Sequence, residues 1–180
     1  LPAPAIVEGG ARREDQPGGG VCQVSTTLYN AVAKADLEVT ARRCHSAKVN
    51  YVKAGLDATV NTGTIDFCWK NNTEGDAFIH AWIEDGTKVC VEVYALPFAD
   101  FDEIKLESEH TGDIAPEGEM EVIYDDTKAK GFSEVEVPRQ KGETYTSYKV
   151  YYRAGEEVRR EKLADSKYKA QRGRKVVGTK

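Results

Sequence analysis

Apolar residues between positions 20 and 95 follow two spacings, one typical of a helix and one typical of strands. After a turn of Pro17, Gly18, Gly19 and Gly20, apolar side chains recur every three or four residues on one helical face: Val21, Val24, Leu28, Val32 and Ala35. Apolar and polar residues then alternate in short segments, which predict strands at 37–41, 49–52, 64–69, 77–83 and 88–94. We therefore predict a helix whose apolar face packs on a β-sheet.

The second half of the chain alternates throughout and contains little that favours a helix. Strands are predicted at 119–124, 133–137 and 144–152, separated by glycine-containing turns. The whole chain is thus predicted to be α+β: a small mixed domain at 1–98 with one principal helix packed on a β-sheet, then an elongated all-β domain at 104–180. One predicted strand is rich in tyrosine, with Tyr145, Tyr148, Tyr151 and Tyr152. These rings suit either a cross-strand packing ladder or a carbohydrate-stacking surface, for which Tyr148 and Tyr151 are the candidates.

Composition narrows the possible classes of function. The chain has 180 residues, of which 40% are hydrophobic, enough for a buried core. A net charge of -5 argues against a general nucleic-acid binder, and acidic residues interrupt the basic segment from Arg139 to Lys180, as on an ordinary solvated face. No segment approaches the run of about 18 apolar residues that a membrane-spanning helix needs. The sequence starts at Leu1 without a signal peptide, so we expect any export signal or membrane anchor to lie upstream.

Four cysteines, Cys22, Cys44, Cys68 and Cys90, lie in the first half, and none belongs to a CxxC pair. This spacing favours neither a zinc ribbon nor a thioredoxin-like motif, so we predict no metal site and no cofactor. Cys68 and Cys90 are expected to be small buried residues on strands, or a disulfide between neighbouring strands.

Cys22 stands apart because it occupies the first turn of the predicted helix. The helix dipole and unpaired N–H groups stabilise a thiolate there, which lowers the pKa of the thiol. The preceding glycines leave room for a substrate, and the same N–H groups can bind an oxyanion. The alternative is a tight strand-to-helix turn with a buried, inert thiol. His45 and Asp57 follow on segments predicted to pack on the helix, and they are the candidates for a base and its orienting group.

Several motifs in the first half closely resemble the VanW family. The longest is GGGVCQVSTTLYNA at 18–31, and it is followed by His45-Ser46, Gly55-x-Asp57-Ala58-Thr59-Val60, Asp66-Phe67 and Lys70-Asn71-Asn72-Thr73. The resemblance covers about 1–95 and implies a VanW-like domain at 1–98 that is truncated at its N-terminus. The later pattern of Tyr151 to Glu157, Glu161, Leu163, Ser166, Tyr168 and Val177-Gly178 resembles a G5 domain, which implies a G5-like domain at 104–180. Leu56 departs from the VanW pattern, which usually has a basic residue near this position.

The VanW resemblance implies a cell-wall protein of Gram-positive or related bacteria, outside the cell in the wall or on an outward-facing membrane anchor supplied upstream. The family includes a member of a glycopeptide-resistance gene cluster and proteins regarded as L,D-transpeptidases, which form 3-3 peptidoglycan cross-links. Its cysteine and histidine fall on Cys22 and His45. The G5 resemblance implies binding of glycans that contain N-acetylglucosamine, which would hold an enzyme near its substrate.

Together these observations lead to a specific hypothesis. Cys22 is predicted to be the nucleophile of an L,D-transpeptidase, with His45 as general base and acid and Asp57 as its orienting group. The residues expected to hold the oxyanion or substrate are Gly19, Gly20, Gln23, Ser25 and Thr26. The partners are peptidoglycan stem peptides and glycan, with no nucleic acid, and the chain is expected to be a monomer. The alternatives are a peptidoglycan peptidase or carboxypeptidase, and a non-catalytic wall-binding or adhesion protein.

Overall fold

The computed structural model describes residues 3–7, 12–16 and 19–180 of the chain. In the first half, α1 (Val21–Lys34) is the helix, and the strands form antiparallel pairs: β1 (Ala3–Val7) with β2 (Arg12–Gln16), β3 (Glu38–Ala41) with β4 (Cys68–Lys70), and β5 (Phe78–Glu84) with β6 (Lys88–Tyr94). No helix in the described part of the chain is both long and apolar enough to cross a membrane.

The second half consists of two three-stranded sheets. The first has the order β11 (Glu156–Tyr168), β10 (Gly142–Arg153), β7 (Glu103–Ile114) and is antiparallel. The second has the order β8 (Glu121–Asp125), β12 (Arg174–Gly178), β9 (Ser133–Val137), with β12 parallel to β8 and antiparallel to β9. The absence of helix predicted for this half holds for its described residues.

The helix forms where it was predicted, but it buries a different face. The buried positions of α1 are Ser25, Thr26, Tyr29, Val32 and Ala33. Val21 and Val24, which belong to the predicted apolar stripe, are 52% and 45% exposed. The buried face is partly polar: Thr26 Oγ1 bonds to the backbone of Ala58, whereas the buried hydroxyl of Ser25 has no hydrogen-bond partner among the described residues. The predicted apolar stripe is therefore correct at Val32 and wrong at Val21 and Val24.

Other local predictions also need correction. Residues 49–52 form no strand and belong to the long loop between β3 and β4. The predicted single sheet of the first half is a set of separate two-stranded pairs. Cys68 is exposed rather than buried, and Cys68 and Cys90 are both free thiols. The strands β7 and β11 were not predicted, because charged residues interrupt the apolar alternation along both of them.

The two halves make extensive contact along the sheet formed by β11, β10 and β7. Asp36, just after α1, accepts hydrogen bonds from Lys149 Nζ at 2.7 Å and from the Tyr151 hydroxyl at 2.8 Å. The loop before β4 docks at Gly55, where φ is +89° and an added Cβ would collide with the Ser108 hydroxyl. Ser108 itself donates to the carbonyl of Ala54 at 2.6 Å. A glycine is required at position 55 by both its backbone conformation and this close approach.

Candidate functional site

Cys22 lies in the first turn of α1 and keeps a free, partly exposed thiol. The helix begins after Gly20, whose φ of +96° favours glycine and whose hypothetical Cβ would meet no atom within 4 Å. The entrance to the helix is therefore open beside the sulfur. Pro17 and Gly18 of the predicted turn lie outside the described residues.

The long loop between β3 and β4 brings His45 and Asp57 together. Asp57 Oδ2 accepts a hydrogen bond from the backbone N–H of His45 at 2.7 Å, and it lies 2.6 Å from His45 Nδ1. Both side chains are buried, with 8% of His45 and none of Asp57 exposed. Because Nδ1 is held by the carboxylate, Nε2 is the ring nitrogen left for chemistry.

Cys22 and His45 change each other's acidity. The hydrogen bond from His45 is the largest influence on the thiol; burial opposes it and Thr59 adds to it, so the pKa of Cys22 falls to about 7. For His45, burial is the largest influence and lowers the pKa. Hydrogen bonds to Asp57 and Cys22, together with the charge of Asp57, outweigh burial and raise the pKa of His45 to about 9. Between these two values the pair is predominantly thiolate and imidazolium.

Asp57 is a fully buried carboxylate whose charge is compensated by several donors. Besides His45, the Tyr168 hydroxyl donates to Oδ1 at 2.6 Å and Arg42 Nη2 donates to Oδ1 at 3.3 Å. Burial is the largest influence on the pKa of Asp57 and raises it, but the hydrogen bonds from His45 and Tyr168 and the charge of Arg42 together hold it below its usual value. Asp57 is therefore ionised across the physiological range, as an orienting carboxylate must be.

The segment after Asp57 is pinned to the first turns of α1. Thr26 Oγ1 accepts from the N–H of Ala58 at 3.0 Å and donates to the Ala58 carbonyl at 3.2 Å. In the next two residues, Thr59 Oγ1 lies 3.4 Å from the Cys22 sulfur, and the carbonyl of Val60 accepts from the thiol, when it is protonated, at 3.3 Å. These contacts place the irregular segment 58–60 directly beside the sulfur. Thr26 therefore has a structural role in holding Asp57 and Cys22 in register.

The other residues predicted to hold an oxyanion are near the sulfur, but their groups are partly engaged. The N–H of Gln23 donates to the carbonyl of Gly20 at 3.0 Å, so it already has a partner in the first turn. Gly19 and Gly20 precede the helix, and Ser25 is buried at 8% exposure. Another hydroxyl at the site is that of Tyr51, which lies 3.5 Å from His45 Nε2. Burial is the main cause that raises the pKa of Tyr51 to about 12, so this hydroxyl stays protonated.

A groove of about 390 Å³ lies between α1 and β6, with Gln23, Thr26, Tyr51, Lys34 and Lys88 among its lining residues. Cys22 and His45 do not line it, and Tyr51, whose hydroxyl lies 3.5 Å from His45 Nε2, connects it to the site. We call this the α1–β6 groove. Its walls combine hydroxyl, amide, apolar and cationic groups, which is the range of chemistry that a peptide with a free carboxylate presents.

The tyrosines proposed for glycan stacking are placed differently from each other. Tyr151 is 1% exposed, and its hydroxyl bonds to Asp36 and Glu161, so it offers no face to a sugar ring. Its role is packing, and the glycan-stacking interpretation does not fit it. Tyr148 is half-buried, with the guanidinium of Arg160 5.4 Å from its ring centroid.

Three residues of the site were not predicted as such. Arg42 and Tyr51 lie close to His45 in sequence, on either side of it. Their polar side chains near a candidate base could have identified them as site residues. Tyr168 had no such signal, because it lies 111 residues from Asp57. Among the described residues, no cluster of three or more histidine, cysteine or acidic side chains is arranged to hold a metal ion.

The fold and site define a two-domain protein in which a helix-borne cysteine faces a histidine held by a carboxylate. The family model described as VanW like protein matches residues 1–94, more than half of the 180 residues, and the chain belongs to this family. The G5 domain model matches residues 107–180. The predicted order of a VanW domain followed by a G5 domain is confirmed.

Known proteins share parts of this chain. The uncharacterized protein YoaR of Bacillus subtilis (strain 168) is 44% identical over 79 residues, which make up 44% of this chain and 25% of that protein. The chain thus spans a quarter of this curated relative. An IgA1 protease G5 domain structure is 22% identical over 43% of this chain and 88% of its own, with a TM-score of 0.30. The structure of HP0197-G5 is 18% identical over 43% of this chain and 100% of its own, with a TM-score of 0.22.

VanW and G5 domains together indicate a protein associated with the cell wall, which suggests a location outside the cell.

Proposed function

We propose that this chain is a cell-wall acyltransferase of the L,D-transpeptidase type, with Cys22 as nucleophile. The observation that carries the proposal is a buried His45 that Asp57 holds through Nδ1, together with a partly exposed Cys22 thiol whose pKa His45 lowers. A structural cysteine needs no such arrangement. A nucleophile needs a lowered pKa, an imidazole within reach and a group that fixes the imidazole, and all three are present here.

The proposed reaction begins from the thiolate and the imidazolium. The Cys22 thiolate attacks the carbonyl carbon that joins the third residue of a stem peptide to its terminal D-Ala. As the carbon–nitrogen bond breaks, His45 donates its Nε2 proton to the departing amine of D-Ala, which leaves a thioester and a neutral imidazole. The side-chain amine of a second stem then attacks the thioester, and His45 accepts its proton. The carbon–sulfur bond breaks, a 3-3 cross-link forms, and thiolate and imidazolium are restored.

Tyr51 is the side chain best situated to donate to the oxyanion of this reaction. Its hydroxyl is protonated, belongs to the wall of the α1–β6 groove, and lies beside the catalytic edge of His45. The N–H of Gln23 is less suitable because the Gly20 carbonyl already accepts from it. The α1–β6 groove lies next to the site through Tyr51, and it would hold part of the donor peptide, with Lys34 and Lys88 as partners for carboxylates.

Purified disaccharide-tetrapeptides test this proposal, with products identified by mass spectrometry. The chain should form 3-3 linked dimers and release D-Ala, and Cys22→Ala should do neither while keeping its circular dichroism spectrum. Cys90→Ala is the matched control, since Cys90 is also a partly exposed free thiol of the first half. Undiminished dimer formation by Cys22→Ala would reject the assignment. Release of D-Ala without dimers would show that water resolves the thioester and would assign a carboxypeptidase instead.

The second candidate function is non-catalytic binding to wall glycan. It is favoured by the G5 match at 107–180, and in this case Cys22 is a structural thiol. Binding is measured by sedimentation with purified cell walls and with an insoluble polymer of N-acetylglucosamine, with cellulose as the control. Glycan binding that is equal in wild type and Cys22→Ala, with no products from wild type, would favour this function over catalysis.

A further inference from the structure

The second half of the chain supplies a hydrogen bond to the carboxylate of the proposed catalytic centre. Tyr168 lies at the end of β11, and its side chain is 2% exposed. Its hydroxyl donates to Asp57 Oδ1 at 2.6 Å and accepts from the N–H of Gly55 at 2.7 Å. An ionised carboxylate only accepts and an amide N–H only donates, so the direction of both hydrogen bonds is fixed.

Arg42 forms a second link between Asp57 and the same strand. Its Nε donates to the carbonyl of Asp57 at 2.6 Å, and Nη2 donates to Asp57 Oδ1 and to the carbonyl of Gly55. Its Nη1 donates to the hydroxyl of Ser166 at 2.8 Å. Ser166 and Tyr168 are two residues apart on β11 and therefore face the same side of the sheet. The strand thus holds Asp57 both directly and through Arg42.

The two oxygens of Asp57 have separate tasks. Oδ2 receives both hydrogen bonds from His45, whereas Oδ1 receives those from Tyr168 and Arg42. The bond from Arg42 to Oδ1 is long, at 3.3 Å, so the hydroxyl of Tyr168 makes the closer contact with this oxygen. Tyr168 also restrains the loop that carries Asp57, through Gly55.

We infer that Tyr168 is a positioning residue of the candidate catalytic site, and that the G5 domain completes the Cys22–His45–Asp57 arrangement rather than only tethering it to glycan. The inference rests on the proposed function for its consequence in catalysis. Its structural part, that Tyr168 affects the hydrogen bond of His45 to Asp57 and the pKa of Cys22, can be measured without any substrate.

Two tyrosine variants separate positioning from domain docking. Tyr168→Phe removes the hydroxyl that bonds to Asp57. Tyr151→Phe removes the hydroxyl of a tyrosine whose side chain is also buried and that also joins the two halves, but through Asp36 and away from the site. If β11 and β10 only dock the domains, the two variants should behave alike. If Tyr168 positions Asp57, only its variant should change His45 and Cys22.

Two measurements report on these residues. The first is the downfield proton resonance of His45 Nδ1–H, which depends on its hydrogen bond to Asp57 and is assigned by its loss in a His45→Gln variant. The second is the pH dependence of Cys22 alkylation by iodoacetamide, followed by mass spectrometry. Release of Asp57 weakens its hold on the imidazolium, so Tyr168→Phe should shift the resonance, raise the alkylation midpoint and slow alkylation at pH 7 by roughly 1.5- to 3-fold, less than complete loss of the imidazole would. Tyr151→Phe should leave all three unchanged.

Equal effects of the two variants, or an unmoved or lowered midpoint in Tyr168→Phe, would overturn the inference. Ser166→Ala provides a second test should Tyr168→Phe fail to fold. It removes the shorter hydrogen bond of Arg42 Nη1 and leaves the one to the Asp165 carbonyl at 3.4 Å. The midpoint should move in the same direction by a smaller amount, and an unchanged midpoint would count against the role of β11. Failure of the wild type to make dimers would reject the proposed function and leave these measurements intact, so the two failures are distinguishable.

Discussion

Replacing His45 tests the electrostatic basis of the site most directly. His45→Gln removes the ring that hydrogen-bonds to Cys22 and the positive charge beside it, yet it keeps an N–H donor near the buried Asp57. The pKa of Cys22 should then rise from about 7 towards its ordinary value of 9.0, because the largest influence on it is lost. The matched control is His80→Gln, which alters an exposed histidine on β5 that pairs with Glu92.

The expected rates follow from these two values. At pH 7 about half of the wild-type thiol is ionised and about one hundredth of the variant thiol, a ratio of about 50. A more basic thiolate is intrinsically more nucleophilic, with a Brønsted coefficient of about 0.4–0.5, so the rate constant of the variant thiolate is higher by about eightfold. Alkylation of the variant at pH 7 should therefore be slower by about sixfold. At high pH it should be faster by about eightfold, and the two pH–rate curves should cross near about pH 8.

The assay is alkylation by iodoacetamide between pH 5.5 and about 10.5, with residue-resolved mass spectrometry. Exposed Cys68 in the same molecule serves as an internal reference for reagent and mixing. A crossing of the curves identifies a change of acidity. Two parallel curves with one midpoint would mean that His45 only controls access to the sulfur, and a wild-type midpoint near 9.0 would refute the thiolate–imidazolium pair.

Three further changes test the carboxylate, the loop and the groove. Asp57→Asn should lower the free energy of unfolding at pH 7, measured by urea titration, by about 3 kcal/mol, because it removes the charge that compensates buried donors. The pKa of Asp57 is lowered in the folded state. The stability difference between wild type and variant should therefore be present above the ordinary pKa of 3.8 and vanish as the pH falls through the folded-state pKa. Gly55→Ala should cost about 2 kcal/mol in the same assay, through its positive φ and its collision with Ser108, whereas Gly86→Ala, with a positive φ but open space, should cost less. Tyr51→Phe should lower kcat for dimer formation by about 100-fold while leaving the alkylation midpoint of Cys22 in place, and an unchanged kcat would exclude Tyr51 as oxyanion donor.

Local sequence was informative where a feature depends on neighbours in the chain. The glycine turn and the spacing after it located α1 and put Cys22 at its start, and the position of His45 and Asp57 in the motif pointed to the pair that the loop brings together. The loop itself was mistaken for a strand at 49–52, because alternation over four residues does not distinguish a strand from an irregular segment pinned by side chains.

Features set by distant contacts were not predictable in this way. The buried face of α1 is set by segments distant in sequence: the ring of Tyr29 packs on Phe67 and lies under the Arg42 guanidinium, whereas Val21 is exposed. Tyr168 belonged to a pattern that indicated a G5 domain, and nothing near it in sequence pointed to Asp57. Long-range hydrogen bonds of this kind become visible only when the topology is known.

Burial of Asp57 connects the docking of the two halves with the reactivity of Cys22. An ionised carboxylate with no exposed surface is stable only when donors replace its lost water, and here Tyr168 of the second half supplies one of them. Separation of the halves would remove that donor and admit water to Asp57. The carboxylate would then stabilise the His45 imidazolium less, the imidazolium would stabilise the Cys22 thiolate less, and the pKa of the thiol would rise.

By linkage, the free energy that docking contributes to the thiolate–imidazolium pair equals the free energy that the pair contributes to docking. Variants at the interface should therefore change thiol acidity in proportion to how far they loosen Asp57, and not in proportion to how much they destabilise the protein as a whole.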